Sequence, residues 1–295
     1  MENNKNIIDG DCWVAYFDIL GFRGEVEWAE KNHNKFILSM CECAYEERKL
    51  KEKFEEFTNG LVKIICFSDT FIFYSSNDSE ECLSAIEHTA RQFFRTMFTA
   101  KWQAEKEPHS GNIPVPLRGC LNYGHFYADR DKNIYWGSAL NEAYELAESQ
   151  DWIGYVLSEK AKSQIGKCHF NYWKTIGPYY KEYNVPMKDL KTKKLFKKKL
   201  YAYYAGEHKV SSLDILRDHA GFDLADGLFR MWINIKDNNN LTDKQKISKK
   251  YRNTKDFLLE AYPALPVLKD IGENKSLCPL CSLWLKIKGK TLWQI

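Results

Sequence analysis

At 295 residues, with 44% hydrophobic and 15% aromatic content, the chain is long enough for one large domain, or a catalytic domain with an extension, around a sizeable core. Forty-three Lys and Arg against 40 Asp and Glu leave a net charge of +3, which argues against wholesale binding to nucleic acid or a membrane surface, so any basic function must be local. No apolar stretch approaches the ~18–20 residues needed to span a bilayer, the polar segment Met1 to Asp11 lacks the form of a secretory signal, and nine irregularly spaced cysteines predict reduced thiols in a cytoplasmic protein.

The first predicted strand is Trp13 to Ile19, a short apolar and aromatic run that meets Asp18 and then a turn at Gly21. Glu25 to about Phe57 is charged with spaced apolar residues and predicts a helix. Leu61 to Phe67 and Phe71 to Tyr74, separated by Ser68-Asp69-Thr70, predict a β-hairpin with an acid at its tip. A second long helix is predicted over Glu80 to Ala104, then a strand over Leu117 to Tyr127 and a turn over Asp129 to Asn133. Ala139 to Ser149 predicts a helix, Ile153 to Leu157 a strand, and Ser158 an N-cap for a helix to Ile165. Tyr179 to Val185 and Leu200 to Tyr204 predict two late strands joined by a lysine-rich link. This order predicts an α+β fold: the ferredoxin-like split βαβ unit, a mixed sheet with helices over one face. After about Gly206 the pattern turns helical, over Ser211 to Ile235 and Thr242 to Tyr262. The predicted division is a core over 11–206 and a helical C-terminal extension over 207–295.

Asp18 and Asp69 fall at the ends of strands that the predicted sheet makes neighbours, so the two carboxylates converge at an exposed sheet edge. Such a pair can hold two Mg²⁺ or Mn²⁺ ions that activate a ribose 3′-hydroxyl and neutralise phosphates during in-line attack. The amides of Ile19, Leu20, Gly21 and Phe22 would cradle phosphates at the start of the first helix. Each aspartate taken alone reads more readily as a turn or helix cap, and only the pair points to metal.

Four blocks, in order, resemble the class III nucleotidyl cyclases over roughly residues 11–206. Phe17-Asp18-Ile19-Leu20-Gly21-Phe22 looks like the family's first metal-binding strand, and Phe67-Ser68-Asp69-Thr70 like its second metal aspartate. Leu117-Arg118-Gly119-Cys120-Leu121-Asn122-Tyr123-Gly124 follows its L-R-x-G-x-x-x-G-like strand, with the glycine after Arg118 shifted by one. Trp136-Gly137-Ser138-Ala139-Leu140-Asn141-Glu142-Ala143 follows its W-G-x-x-V-N-x-A helix start. The resemblance implies closure of a nucleoside triphosphate to a 3′,5′-cyclic monophosphate, with release of pyrophosphate. It assigns Asp18, Asp69 and the Ile19 carbonyl to two Mg²⁺ or Mn²⁺ ions and Asn141 to the ribose. It also implies a head-to-tail homodimer, each site taking the aspartates from one subunit and Asn141 from the other.

Two departures stand out. The position of the family's transition-state arginine, four after the asparagine, is Glu145. The positions that hydrogen-bond the purine edge are Ile65 and Ile134, or Tyr135 with the alignment moved by one. Apolar groups there remove purine discrimination. In this the chain is similar to the pyrimidine cyclases of bacterial anti-phage defence, the Pycsar systems. That implies CTP or UTP as substrate and a cyclic-nucleotide-activated effector reached through the product, without contact. The alternatives are an adenylate or guanylate cyclase, or an inactive cyclase-like nucleotide-binding module.

Other signals carry less. Six lysines between Lys191 and Lys199 suit a solvated hairpin loop or triphosphate binding; Phe196 is the sole stacking aromatic among them. Arg118 is strand framework or a phosphate contact. Cys278 and Cys281 have zinc-ligand spacing without a second pair. His125 on a strand suits a satisfied core histidine better than a base.

Overall fold

The computed structural model describes residues 7–22, 55–99, 114–168, 172–204, 224–225, 227–228, 231 and 244–262. Its strands are β1 (Ile7–Ile19), β2 (Val62–Phe67), β3 (Thr70–Ser75), β4 (Leu117–Asp129), β5 (Ile134–Trp136), β6 (Gly154–Leu157), β7 (Tyr180–Lys188) and β8 (Leu195–Tyr203). Its helices are α1 (Glu80–Thr99), α2 (Ser138–Ser149), α3 (Glu159–Ile165), α4 (Tyr172–Ile176) and α5 (Lys244–Ala261). The strands form one sheet in the order β2-β3-β1-β4-β6-β8-β7, with β5 paired to β4. The β4–β6 pair is parallel and the others are antiparallel. The fold is α+β, and β2-β3-β1-β4 has the ferredoxin-like order expected from the sequence.

The helices cover both faces of the sheet, where one face was expected. Alternation along β1 decides which side chain meets which helix. Phe17 packs on Phe93 and Phe94 of α1, whereas its neighbour Tyr16 meets Tyr144 of α2 on the opposite face. Helix α2 lies close to the sheet because Ala139, Ala143 and Ala147, one turn apart, are fully buried. The Cys120 thiol donates to the Ala143 carbonyl at 3.2 Å, and the buried Asn122 amide donates to the Ala139 carbonyl at 3.0 Å. Ser158 caps α3 as predicted, its hydroxyl accepting from the Ala161 amide at 3.0 Å while donating to Asn122 Oδ1 at 2.6 Å.

Several boundaries differ. The β7–β8 strands run further than the apolar residues suggested, so Lys197, Lys198 and Lys199 belong to β8, opposite Pro186, Val185 and Asn184. A two-stranded ribbon needs no apolar residues on its solvent side, so main-chain pairing continues through the lysines. Of the predicted helix over 25–57 only 55–57 are described, as helix. Cys278, Cys281 and most of the helix predicted over 211–235 lie outside the described residues. Helix α5 packs onto the core: Thr254 Oγ1 accepts from the Ile153 amide at 2.8 Å and donates to the Ile153 carbonyl at 3.1 Å. The Phe257 ring packs edge-on against Trp152.

Gly119 lies directly opposite Phe17, whose ring crosses it; a Cβ there would also sit 2.6 Å from the Tyr16 carbonyl oxygen. This accounts for the shifted glycine after Arg118. Gly119→Ala is therefore expected to lower stability by about 1–3 kcal/mol, as measured by denaturant unfolding. An unchanged midpoint would contradict this packing.

Candidate active site

Strand pairing sets the two aspartates side by side. Asp18 is opposite Thr70 of β3 and opposite Arg118 of β4. The hairpin turns through Ser68, which takes a positive φ of 58°, and the Ile19 amide donates to the Asp69 carbonyl at 3.0 Å. The two strand ends adjoin as expected from sequence, but they are not exposed: Asp18 is only 8% accessible, and Asp69 is half-buried.

Asp18 is held by Arg118. The guanidinium donates from Nε and Nη2 to Asp18 Oδ2, at 3.0 and 2.7 Å. Its Nη1 donates to the Glu148 carbonyl at 3.0 Å, and Nη2 also meets the Glu148 carboxylate. Of the two sequence readings of Arg118, framework is the one its contacts describe. Burial pushes the Asp18 carboxyl up to about 6; Arg118 opposes the shift, and the negative charges of Glu148 and Asp69 add to it. Two carboxylates thus share one guanidinium while a third, Asp69, adds its negative charge, an electrostatic setting that favours a bound cation.

Among the described residues there is no group of three or more His, Cys, Asp or Glu that could hold a metal ion. The available donors are two carboxylates and the Ile19 carbonyl. An all-oxygen set with one or two carboxylates fits Mg²⁺ or Mn²⁺, whose remaining positions go to water and substrate phosphates. The residues present therefore fit the implied group.

The proposed phosphate cradle is only half available. Ile19 donates to Asp69, and the Leu20 amide to the Pro116 carbonyl at 2.8 Å, which leaves the amides of Gly21 and Phe22. Asn141 is exposed on α2, seven residues before Glu148 and thus ~10 Å up the helix axis from it. Within one chain it stays away from Asp18. Glu145 is exposed on the same helix face.

Ile65 lies opposite Ile72, which is itself opposite Tyr16, so it shares the Asp18 face. Ile134 is 45% exposed; its neighbour Tyr135 turns inward and packs 6.1 Å from Tyr74. Tyr74 is opposite Lys63, two residues from Ile65, so the one-residue shift places Tyr135 rather than Ile134 nearer the Ile65 position. His125 is no core residue: its side chain is 43% exposed and pairs with Asp9 at 3.0 Å.

Sequence reading missed Glu148, whose role depends on Arg118. It also missed a half-buried ionic group beside Tyr135. Glu55 accepts from Lys63 at 3.3 Å and from Arg130 at 3.0 Å, so hydrogen-bonding groups stand one strand step from the apolar Ile65. Neither has a local sequence signature.

No protein-family model matches the chain, and no curated protein matches it. Among solved structures the chain is similar to the adenylyl cyclase CyaB from P. aeruginosa, at 14% identity and a TM-score of 0.44, covering 70% of this chain and 99% of that one. It is also similar to the catalytic core of a rhodopsin-guanylyl cyclase with converted specificity, at 13% identity and 0.44, covering 68% and 99%. A third is an adenylate/guanylate cyclase/hydrolase from Silicibacter pomeroyi, at 12% and 0.41, covering 67% and 98%. No helix among the described residues is long and apolar enough to cross a membrane.

The Asp18 carboxyl titrates at about 6, above its ordinary 3.8, so the folded chain binds a proton there more tightly than the unfolded chain. The resulting stabilisation is fully present below about pH 4 and is lost as pH rises through about 6. A divalent cation competes with that proton. Mn²⁺ affinity, measured by electron paramagnetic resonance of the free ion, is expected to fall about tenfold per pH unit below about 6. Asp18→Asn should remove this dependence; a flat wild-type profile between pH 5 and 7 would refute it.

Proposed function

We propose that the chain is a nucleotidyl cyclase of the class III type, acting on CTP or UTP. The observation that carries this is the pairing of β1 with β3, which sets Asp18 and Asp69 at adjoining strand ends. The four sequence blocks around these strands and the start of α2 support the same reading. In the reaction the ribose 3′-oxygen bonds to the α-phosphorus while the bond from that phosphorus to the bridging oxygen of the β-phosphate breaks. Pyrophosphate leaves, and the hydroxyl proton passes to solvent. Two Mg²⁺ or Mn²⁺ ions held by Asp18, Asp69 and the Ile19 carbonyl would supply acidification of that hydroxyl and charge neutralisation on the phosphates.

The chain's own residues do the rest. Arg118 fixes the orientation of Asp18 and leaves Oδ1 for a cation, while the amides of Gly21 and Phe22 meet a phosphate oxygen. Asn141 of the partner subunit orients the ribose in a head-to-tail homodimer, a reading supported by its exposure and its distance along α2 from Glu148. Ile65, with no hydrogen-bonding atom for a purine edge, favours a pyrimidine. Tyr135 and the Glu55-Lys63-Arg130 group are the polar candidates nearby. As in the Pycsar systems, the cyclic CMP or cyclic UMP would act as a second messenger for a separate effector in anti-phage defence. Glu145, where the family carries an arginine, favours the second reading, a nucleotide-binding module without turnover.

Equal concentrations of ATP, GTP, CTP and UTP with Mn²⁺, with products resolved by mass, test both. Cyclic CMP or cyclic UMP is expected as the main product. Cyclic AMP or cyclic GMP would end the pyrimidine reading, and no product from any nucleotide would favour the inactive module.

Asp69→Ala is expected to cost at least ~100-fold in turnover at unchanged Tm. Asp18→Ala should cost as much and lower Tm, because it deprives a buried guanidinium of one partner. Asn141→Ala mixed with Asp69→Ala should recover activity, since one site of the mixed dimer carries neither change. Activity above a tenth of wild type in either aspartate variant would refute the metal assignment, and no recovery after verified subunit exchange would refute the shared site.

A further inference from the structure

Helix α5 is anchored next to the Asp18 end of the sheet. Asn253 Nδ2 donates to the Asp151 carbonyl at 2.6 Å, Lys249 pairs with the Asp151 carboxylate at 2.8 Å, and Thr254 clamps both main-chain groups of Ile153. Asp151 lies three residues after Glu148, and Gly154, which follows Ile153, pairs with Arg118. Lys250 is three and four residues before Asn253 and Thr254, hence on the helix face that meets this loop. Its ammonium feels the charges of Arg118, Lys188, Asp151 and Glu148.

The neighbouring arginine and carboxylates are matched. Arg118 is taken up by Asp18 and Glu148, and Asp151 by Lys249. Lys250 is half-buried; its carbonyl accepts from Thr254 at 3.0 Å, but its ammonium has no hydrogen-bond or ion-pair partner among the described residues. Burial, then the positive charges of Arg118 and Lys188, pull its ammonium down to about 8 from 10.5, against the smaller opposing influence of the Asp151 and Glu148 carboxylates. A half-buried cation beside other cations is unfavourable unless an anion is bound, and an incoming polyphosphate would relieve it.

We propose that Lys250 of the C-terminal helix, with Lys188 beside it, binds the terminal phosphates of the nucleotide at the Asp18 end of the sheet. The inference rests on the cyclase reading for the identity of the nucleotide, and on the placement of α5 for the site itself. It makes the C-terminal helix part of the active site. The ligand chemistry is a polyphosphate oxyanion, the group that leaves as pyrophosphate.

The test is calorimetric binding of inorganic tripolyphosphate, pyrophosphate and orthophosphate to the full chain, its Lys250→Met and Lys250→Arg variants, and Lys249→Met as a control for helix anchoring. Lys250→Met is expected to weaken tripolyphosphate binding and raise KM about tenfold, the loss of one charge-assisted hydrogen bond. It should change kcat less than ~3-fold and leave Tm equal or higher, since it removes an unmatched buried charge. Lys250→Arg should retain most of the binding and reports on the charge should Lys250→Met fail to fold. Unchanged tripolyphosphate affinity in folded Lys250→Met, or no tripolyphosphate binding by the wild type, would overturn the proposal. So would orthophosphate binding as tightly as tripolyphosphate, which indicates a general anion site. A wild type that cyclises no nucleotide yet binds tripolyphosphate through Lys250 would end the cyclase reading and leave this site standing.

Discussion

A carboxylate buried at the end of a strand must be paired or neutral, and in this chain the pairing of Asp18 with Arg118 organises everything around it. Arginine keeps its charge in any protein environment, and its planar fork gives fixed directions. Here those directions run to one oxygen of Asp18 and to both the carbonyl and the carboxylate of Glu148. One side chain thereby ties together the end of β1, the start of β4 and the last turn of α2. Replacing such a group is costly because it leaves a charge without a partner. Its consequence is orientation: both bonds from the guanidinium to Asp18 fall on Oδ2.

The clasp works only because α2 can come close. The stripe of Ala139, Ala143 and Ala147 brings the helix backbone near enough for the Cys120 and Asn122 side chains to bond its carbonyls. Gly137, with a φ of 144°, starts the helix where a Cβ would collide with β4. Small residues at the helix surface and Gly119 under the Phe17 ring are two solutions to the same problem, close packing of backbone around a charged centre. The aromatic face beneath, where Phe17, Phe93, Phe94 and Tyr155 pack together, holds β1 in register from the other side.

The C-terminal helix extends this logic beyond the sheet. Its bonds to Asp151 and Ile153 reach the loop that joins α2 to β6, three residues beyond Glu148. The described part of α5 thus packs on the core although the sequence changes character near residue 206.

What the sequence determined by itself was local. Alternating and apolar runs specified most strands, Ser158 announced its helix, and Asp18 before the Gly21 turn and Asp69 within Ser68-Asp69-Thr70 marked the strand ends. These signals survive because periodicity and turn preferences act over a few residues. The tertiary structure decided the rest. It buried Asp18, made Arg118 its partner from 100 residues away, enlisted Glu148, placed helices on both faces and turned Tyr135 inward where Ile134 points out. It extended β8 through lysines whose charge suggested a loop, and it packed α5, which carries Lys250, on the loop after α2. Each of these depends on which surfaces meet after folding, and burial and pairing of a charge are properties of its neighbours in space, which no window of adjacent residues contains.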